Sequence, residues 1–248
     1  LGALLGPLIV AGVLLWKGQQ PAGYQPAFAL LAIPALLALS LLFVARLTYP
    51  QPERFELNLP PLRGQGFSYG YWIYVGAAAL IAAGYADFPL IAYHFKTVSI
   101  LPDSWIPVLY GIAMGVDGLA ALLFGRLFDR LGLPIVVVVA IVSSAFAPLV
   151  FLGGRAMAVA GMAVWGLGLG AQETVMKAAI PGMVPSERRG SAYGIFNMGY
   201  GLCWFLGSAL MGYLYDLSVP ALAAFSVGIQ LVSIPLFMLT WRLTARRS

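Results

Sequence analysis

Charge is what this sequence has least of. Only 9% of its residues are Asp, Glu, Lys or Arg, where a soluble domain of average composition carries about 25%. So few charges cannot cover a water-facing surface, which excludes a soluble globular enzyme. Cysteine and histidine each occur once. The single Cys203 excludes an internal disulfide framework and a cysteine-based zinc site, and within its apolar run it reads as a small packing residue. The single His94 excludes an HExxH or paired-histidine metal site. Beside Lys96 at a helix end it reads as an interfacial residue, with a proton relay as the alternative. No GxxxxGK[ST] loop is present to hold a nucleotide, so ATP-driven transport would need a partner chain. The net charge is +5, yet the basic residues stand singly or in pairs between apolar runs. They form no basic stripe with interleaved aromatics, so nucleic acid is not an expected partner. No catalytic constellation, metal site or cofactor site emerges. The sequence opens on Leu1 without a basic n-region or a small-residue cleavage site, so it is expected to start inside a larger protein.

What is abundant is apolar sequence: 61% of residues are hydrophobic and the mean hydropathy is +0.89. A chain of 248 residues can supply roughly eight membrane spans of about 20 to 25 residues. Residues 131–154 contain no charge. Residues 26–44, 64–86, 190–215 and 217–241 are equally bilayer-length segments. Residues 105–128 hold Asp117 near the middle of the span, with Arg126 at its end, and residues 156–183 hold Glu173 and Lys177. The opening run over residues 1–16 is too short to cross comfortably and reads as a partial helix. The expected fold is an all-α integral membrane bundle of about eight transmembrane helices.

The basic residues sort by loop. Arg46, Arg54, Arg63, Arg126, Arg130, Arg188, Arg189, Arg242, Arg246 and Arg247 gather on one side, against Lys17, Lys96 and Arg155 on the other. The richer side is expected to be cytoplasmic, carboxyl terminus included. The longest polar stretch, with Pro50, Pro52, Pro60 and Pro61, reads as a linker.

Two loops carry a recognisable pattern. Gly125-Arg126-Leu127-Phe128-Asp129-Arg130-Leu131-Gly132 has the form GxxxDRxG; glycines allow a tight turn and a close neighbouring helix, and Asp129 can face a helix amino terminus or an arginine and latch a gate. Pro185-Ser186-Glu187-Arg188-Arg189-Gly190-Ser191-Ala192-Tyr193-Gly194 has the form PxxxRGxAxG. Together they resemble the cytoplasmic junctions between helices eight and nine and between helices ten and eleven of the major facilitator superfamily. In place of the basic residues that follow in the family's strong version of the first motif, this chain has Leu133 and Pro134. Gly2, Gly6, Pro7 and Gly12 resemble, incompletely, the glycine-proline motif of helix five. The resemblance implies helices five through twelve, with the first four absent. Residues 1–45 would be two helices of the N-terminal half, residues 46–66 a cytoplasmic linker, and residues 67–248 the C-terminal six-helix half. The implied gate residues are Gly125, Asp129, Arg130, Gly132, Arg189 and Gly190.

Ionisable and amide side chains within spans are expensive unless they face a cavity or a partner. The candidates for a substrate or proton pathway are Asp87, Asp117, Gln172, Glu173, Lys177 and Asn197. Asp117 reads either as a cavity residue or as a structural hydrogen-bonding one. Asp87, beside Pro89, reads as a site of solute binding or outer gating, or as a boundary cap. Glu173 and Lys177, four apart, share a helix face and can pair. Glycine pairs such as Gly111 with Gly115, and the run Gly166, Gly168 and Gly170, read as helix-packing contacts. The resemblance implies a secondary active transporter, symport or antiport, moving a small solute by alternating access; because carboxylates in a membrane cavity can take up a proton, a proton is the expected coupling ion, with sodium as the alternative. The implied setting is a bacterial-type inner membrane, with lipid bilayer, solute and either the missing helices or a partner chain as partners. The alternative is a scaffold of the same fold that does not transport and is bound to another membrane complex.

Overall fold

The computed structural model describes residues 2–17, 21–49 and 66–245. Ten α-helices are found among them and no strand: α1 (Gly2–Lys17), α2 (Pro21–Thr48), α3 (Tyr69–Gly84), α4 (Phe88–Thr97), α5 (Trp105–Leu131), α6 (Pro134–Ser144), α7 (Phe146–Phe151), α8 (Arg155–Ala178), α9 (Arg189–Leu217) and α10 (Val219–Ala245). Because α3 runs on into α4 and α6 into α7, these make eight helical segments among the described residues, α1 being the short one. Tyr69–Thr97 and Pro134–Phe151 are each long and apolar enough to cross a membrane, as are Gln25–Thr48, Trp105–Leu131 and Val219–Thr244. Helices α8 and α9 have the length too, at 24 and 29 residues. The protein is an all-α, multi-pass integral membrane bundle. Most of the linker expected over residues 46–66 lies outside the described residues, and α2 continues to Thr48.

Local chemistry sets the helix ends. The Ser68 side chain accepts from the Tyr71 amide at 3.3 Å and starts α3, the side-chain oxygen satisfying an orphan donor of the first turn. Gly132 closes α5 with φ of +68°, a left-handed conformation that side chains with a Cβ avoid. Pro134 then begins α6 at a position where its missing N–H costs nothing.

The α3–α4 crossing departs from the expected placement. A span over residues 64–86 becomes one over 69–97 with an interruption at Tyr85, Ala86 and Asp87. Pro89 explains the interruption, since its ring would clash with the carbonyl four residues back, that of Tyr85. Backbone freed at membrane depth must find partners within the protein, and here it does. The Gly84 carbonyl accepts from Ser226 Oγ at 2.6 Å and from Gln230 Nε2 at 3.2 Å. The Ala86 carbonyl accepts from Trp165 Nε1 at 2.9 Å. Gln230 in turn accepts from Ser143 Oγ at 3.1 Å. Gln230→Leu should therefore remove one of the two bonds to the Gly84 carbonyl and the one that Ser143 donates, while Ser226 on Gly84 and the Ser143 bond to the Ala140 carbonyl remain, and cost about 1–2 kcal/mol, measured as a lowered thermal unfolding temperature of the detergent-purified protein. An unchanged unfolding temperature would mean that this network does not support the break.

The interior has two apolar clusters. One joins Tyr71, Tyr74, Val136, Val175, Phe196 and Phe237; the other joins Tyr85, Phe95, Phe146, Met162, Trp165 and Met211. Helices α5 and α8 pack backbone to backbone: a Cβ at Gly166 would overlap the Ala113 carbonyl, and one at Gly170 the Asp117 carbonyl. Helix α1 packs on α5, with Leu8 and Leu4 facing Gly111 and Gly115. Helix α2 touches α1 and otherwise exposes leucine after leucine, a surface suited to hydrocarbon rather than water.

Candidate functional site

A cavity has α8 as one wall and α9 as the other. On α8 the row that begins with Gly166 and Gly170 continues through Glu173 to Lys177, because positions three and four apart share a helix face. On α9 the facing residues are Phe196, Asn197, Tyr200, Gly201 and Trp204. The space between them is about 170 Å³, and Gln172, Glu173, Lys177 and Asn197 all line it. Four of the six residues expected to form a solute or proton pathway thus lie together.

Gln172 is 1% exposed. Its Oε1 accepts from the Tyr200 hydroxyl at 3.1 Å, and its buried Nε2 has no hydrogen-bond partner. Glu173 and Lys177 are exposed to the cavity. The pairing expected from their spacing is not made: among the described residues the ion pair is Lys96 with Asp103, at 3.8 Å. Their i, i+4 spacing permits a contact worth only a few tenths of a kcal/mol, too little to hold two long side chains together. The Phe196 and Tyr200 rings stack with centroids 5.7 Å apart, and Trp204 meets Tyr200 edge-on.

Asp87 joins this site through the aromatic wall. It sits ahead of the first turn of α4 yet makes no side-chain capping bond. Its carboxylate instead accepts from the Trp204 indole N–H and, at 2.5 Å, from Ser208 Oγ. Asp87 therefore stands at the boundary of α4 without capping it through its side chain. The break in the crossing releases it from the helix and turns it to α9.

Asp117 approaches from α5. Its Oδ1 would lie 2.8 Å from a Cβ at Gly170, is buried, and has no hydrogen-bond partner. Glu173, three positions after Gly170, lies on the same face of α8 as the glycine that Asp117 packs against. Asp117 lies outside the lining of the cavity itself. Its helix neighbour Gly118 faces open space.

The expected gate residues gather at the arginine-bearing end. Asp129, Arg130, Arg189 and Gly190 are exposed there, and the latch read for Asp129 is not made among the described residues. Gly125 faces Thr174 of α8 at ordinary contact distance. The Glu187 carboxyl is held below its ordinary range, first by the Ser186 hydroxyl that donates to it at 2.7 Å, with Arg189 and Arg188 adding to the effect. A second cavity at this end, about 450 Å³, is bounded by Phe128, Leu133, Met183 and Trp241 among others. It has no charged side chain in its lining, so the larger space has the poorer chemistry.

His94 departs from its expected interfacial place. It is 4% exposed, with Nδ1 3.0 Å from the Tyr215 hydroxyl and the Phe151 ring 5.2 Å away, because α4 turns that face inward against α7 and α9. Sequence reasoning also missed Tyr200, Trp204 and Ser208, lost among the many aromatic and small residues of every span. Their signal was spacing: positions 197, 200, 201, 204 and 208 fall on one face of α9.

A family model described as Major Facilitator Superfamily matches residues 66–248, the stretch from the start of α3 through α10. An uncharacterized protein of Mycobacterium bovis and uncharacterized proteins from two strains of Mycobacterium tuberculosis are each 34% identical to this chain over 240 residues. The alignment takes in 94% of this chain and 58% of each relative. The chain thus spans less than two thirds of the length of the curated relatives it matches.

Proposed function

The chain belongs to the major facilitator superfamily, and from that premise we propose that it is part of a secondary active transporter that moves a small solute by alternating access. The observation that carries the proposal is the cavity between α8 and α9. It places a carboxylate, an ammonium and two amides within bilayer-length helices, where such groups are costly unless they serve a pathway. A scaffold that did not transport would have reason to bury or pair them. The arginine-bearing end is the cytoplasmic one, in line with the favoured placement of basic residues. There the exposed Asp129, Arg130 and Arg189 belong to the cytoplasmic gate.

The coupling ion is a proton. Asp117 and Glu173 are carboxyl groups within the bilayer-length helices α5 and α8, and a carboxyl group at membrane depth that serves a pathway can take up and release one. Asp87, held by Trp204 and Ser208, ties the broken crossing to α9 and carries movement of one to the other. The test uses the full-length protein in liposomes carrying an imposed pH gradient. Solute movement that depends on the gradient supports the reading. A stable membrane partner that co-purifies with it, together with no flux of any solute tried, would favour the scaffold.

A further inference from the structure

The wall of α8 offers two opposite charges that ignore each other. Glu173 and Lys177 stand one turn apart, about 6 Å along the axis, and both reach the cavity without forming an ion pair. Beside them the Gln172 amide presents an N–H that is buried and unsatisfied, and a buried donor without a partner is uncommon enough to call for one. The demands are complementary. Lys177 and Gln172 call for an acceptor, best an anionic one, while Glu173 calls for a cationic donor. A solute with a single charge would answer one side and leave the other uncompensated in a partly enclosed, low-dielectric site, where an unpaired charge is expensive. Across the gap, Trp204 and Tyr200 supply ring surface that packs an apolar body and favours a nearby cation. The cavity volume of about 170 Å³ has room for roughly six water molecules, which limits the bound portion to a handful of heavy atoms.

We propose that the α8–α9 cavity selects small zwitterions of amino-acid size, with the ammonium on Glu173 and the carboxylate on Lys177 and Gln172. This rests on the cavity being the solute site of the transporter proposed above. Asn197, on the facing wall, completes the polar rim.

The test separates binding from transport. Purified full-length protein is challenged with phenylalanine, leucine and 4-aminobutyrate. Each is set beside its amide, which keeps only the ammonium, and its N-acetyl derivative, which keeps only the carboxylate. The first readout is the ligand-induced rise in unfolding temperature, and the second is flux into liposomes. At least one zwitterion is expected to bind more tightly than both its derivatives. In Glu173→Gln the preference over the N-acetyl derivative should fall by about tenfold to a hundredfold, and in Lys177→Met the preference over the amide should fall likewise, the range of a lost charge-assisted hydrogen bond. A merely structural role for these residues would weaken all three compounds together and leave the preferences unmoved. Zwitterions that stabilise the protein but never cross would uphold this inference and sink the transport reading. Flux of some other solute, with no zwitterion binding or competing, would do the reverse. Binding of a singly charged compound in preference to its zwitterion, or response to none of the nine compounds, overturns the inference.

Discussion

Gly170→Leu is expected to lower the unfolding temperature of the purified protein by on the order of 10 °C, and to reduce the amount recovered from the membrane. The reason is that the close approach of α5 and α8 leaves no space for even a Cβ, which would overlap the backbone carbonyl of Asp117. A flexible side chain could move aside, but a helix backbone cannot without separating the pair. Overpacking of this kind costs about 3 kcal/mol. The same interface holds Asp117 against α8, so the site would be spoiled along with the fold. Gly118→Leu is the control: that glycine lies on α5 with nothing within 4 Å of the place a Cβ would take, and its replacement should leave the unfolding temperature nearly unchanged. Equal losses in the two variants would show that glycine content, and not helix contact, governs stability here.

Asp117→Asn is expected to uncouple transport from the pH gradient while leaving exchange intact. If one proton moves with or against each solute, a gradient of one pH unit, worth about 1.4 kcal/mol, sustains about a tenfold solute gradient. Asparagine has nearly the shape of aspartate but cannot take up and release that proton. In liposomes loaded with the full-length variant, the imposed gradient should therefore hold a solute ratio near one, while solute-for-solute exchange persists. The unpartnered Oδ1 against Gly170 makes the position tolerant of the change, since no hydrogen bond is lost there. A variant that still concentrates solute tenfold would remove Asp117 from the proton path and leave Glu173 or Asp87 to carry it.

Much of this was legible in the sequence. Long uncharged runs and arginines sorted by loop established a membrane bundle. The turn ending in Gly132 pointed to the family, and its glycine proves to be the left-handed residue that the turn needs. Gln172, Glu173, Lys177 and Asn197 could be picked out because polar side chains stand out against apolar spans, and they do share one cavity. Less visible was where helices begin and break. Ser68 starts α3 five residues into the expected span, and Pro89 interrupts the crossing instead of ending it. That shift places Asp87 inside the span, in reach of Trp204 and Ser208. Partners from distant helices were not legible at all, as with Gln230 on the Gly84 carbonyl and Tyr215 on His94. For Glu173 and Lys177, spacing on one helix suggested a pair, whereas the cavity beside them decides where the charges point.

Alternating access requires the α8–α9 cavity to open to each side of the membrane in turn. The direct measurement is labelling of Asn197→Cys by a membrane-impermeant maleimide, in full-length protein carrying Cys203→Ser and no other cysteine, in right-side-out and in inside-out vesicles. Asn197 lines the cavity and is exposed within it. Labelling is expected from both sides, with the pH gradient raising the rate on one side as it lowers the rate on the other. Labelling from one side only, or rates indifferent to the gradient, would contradict proton-coupled alternating access.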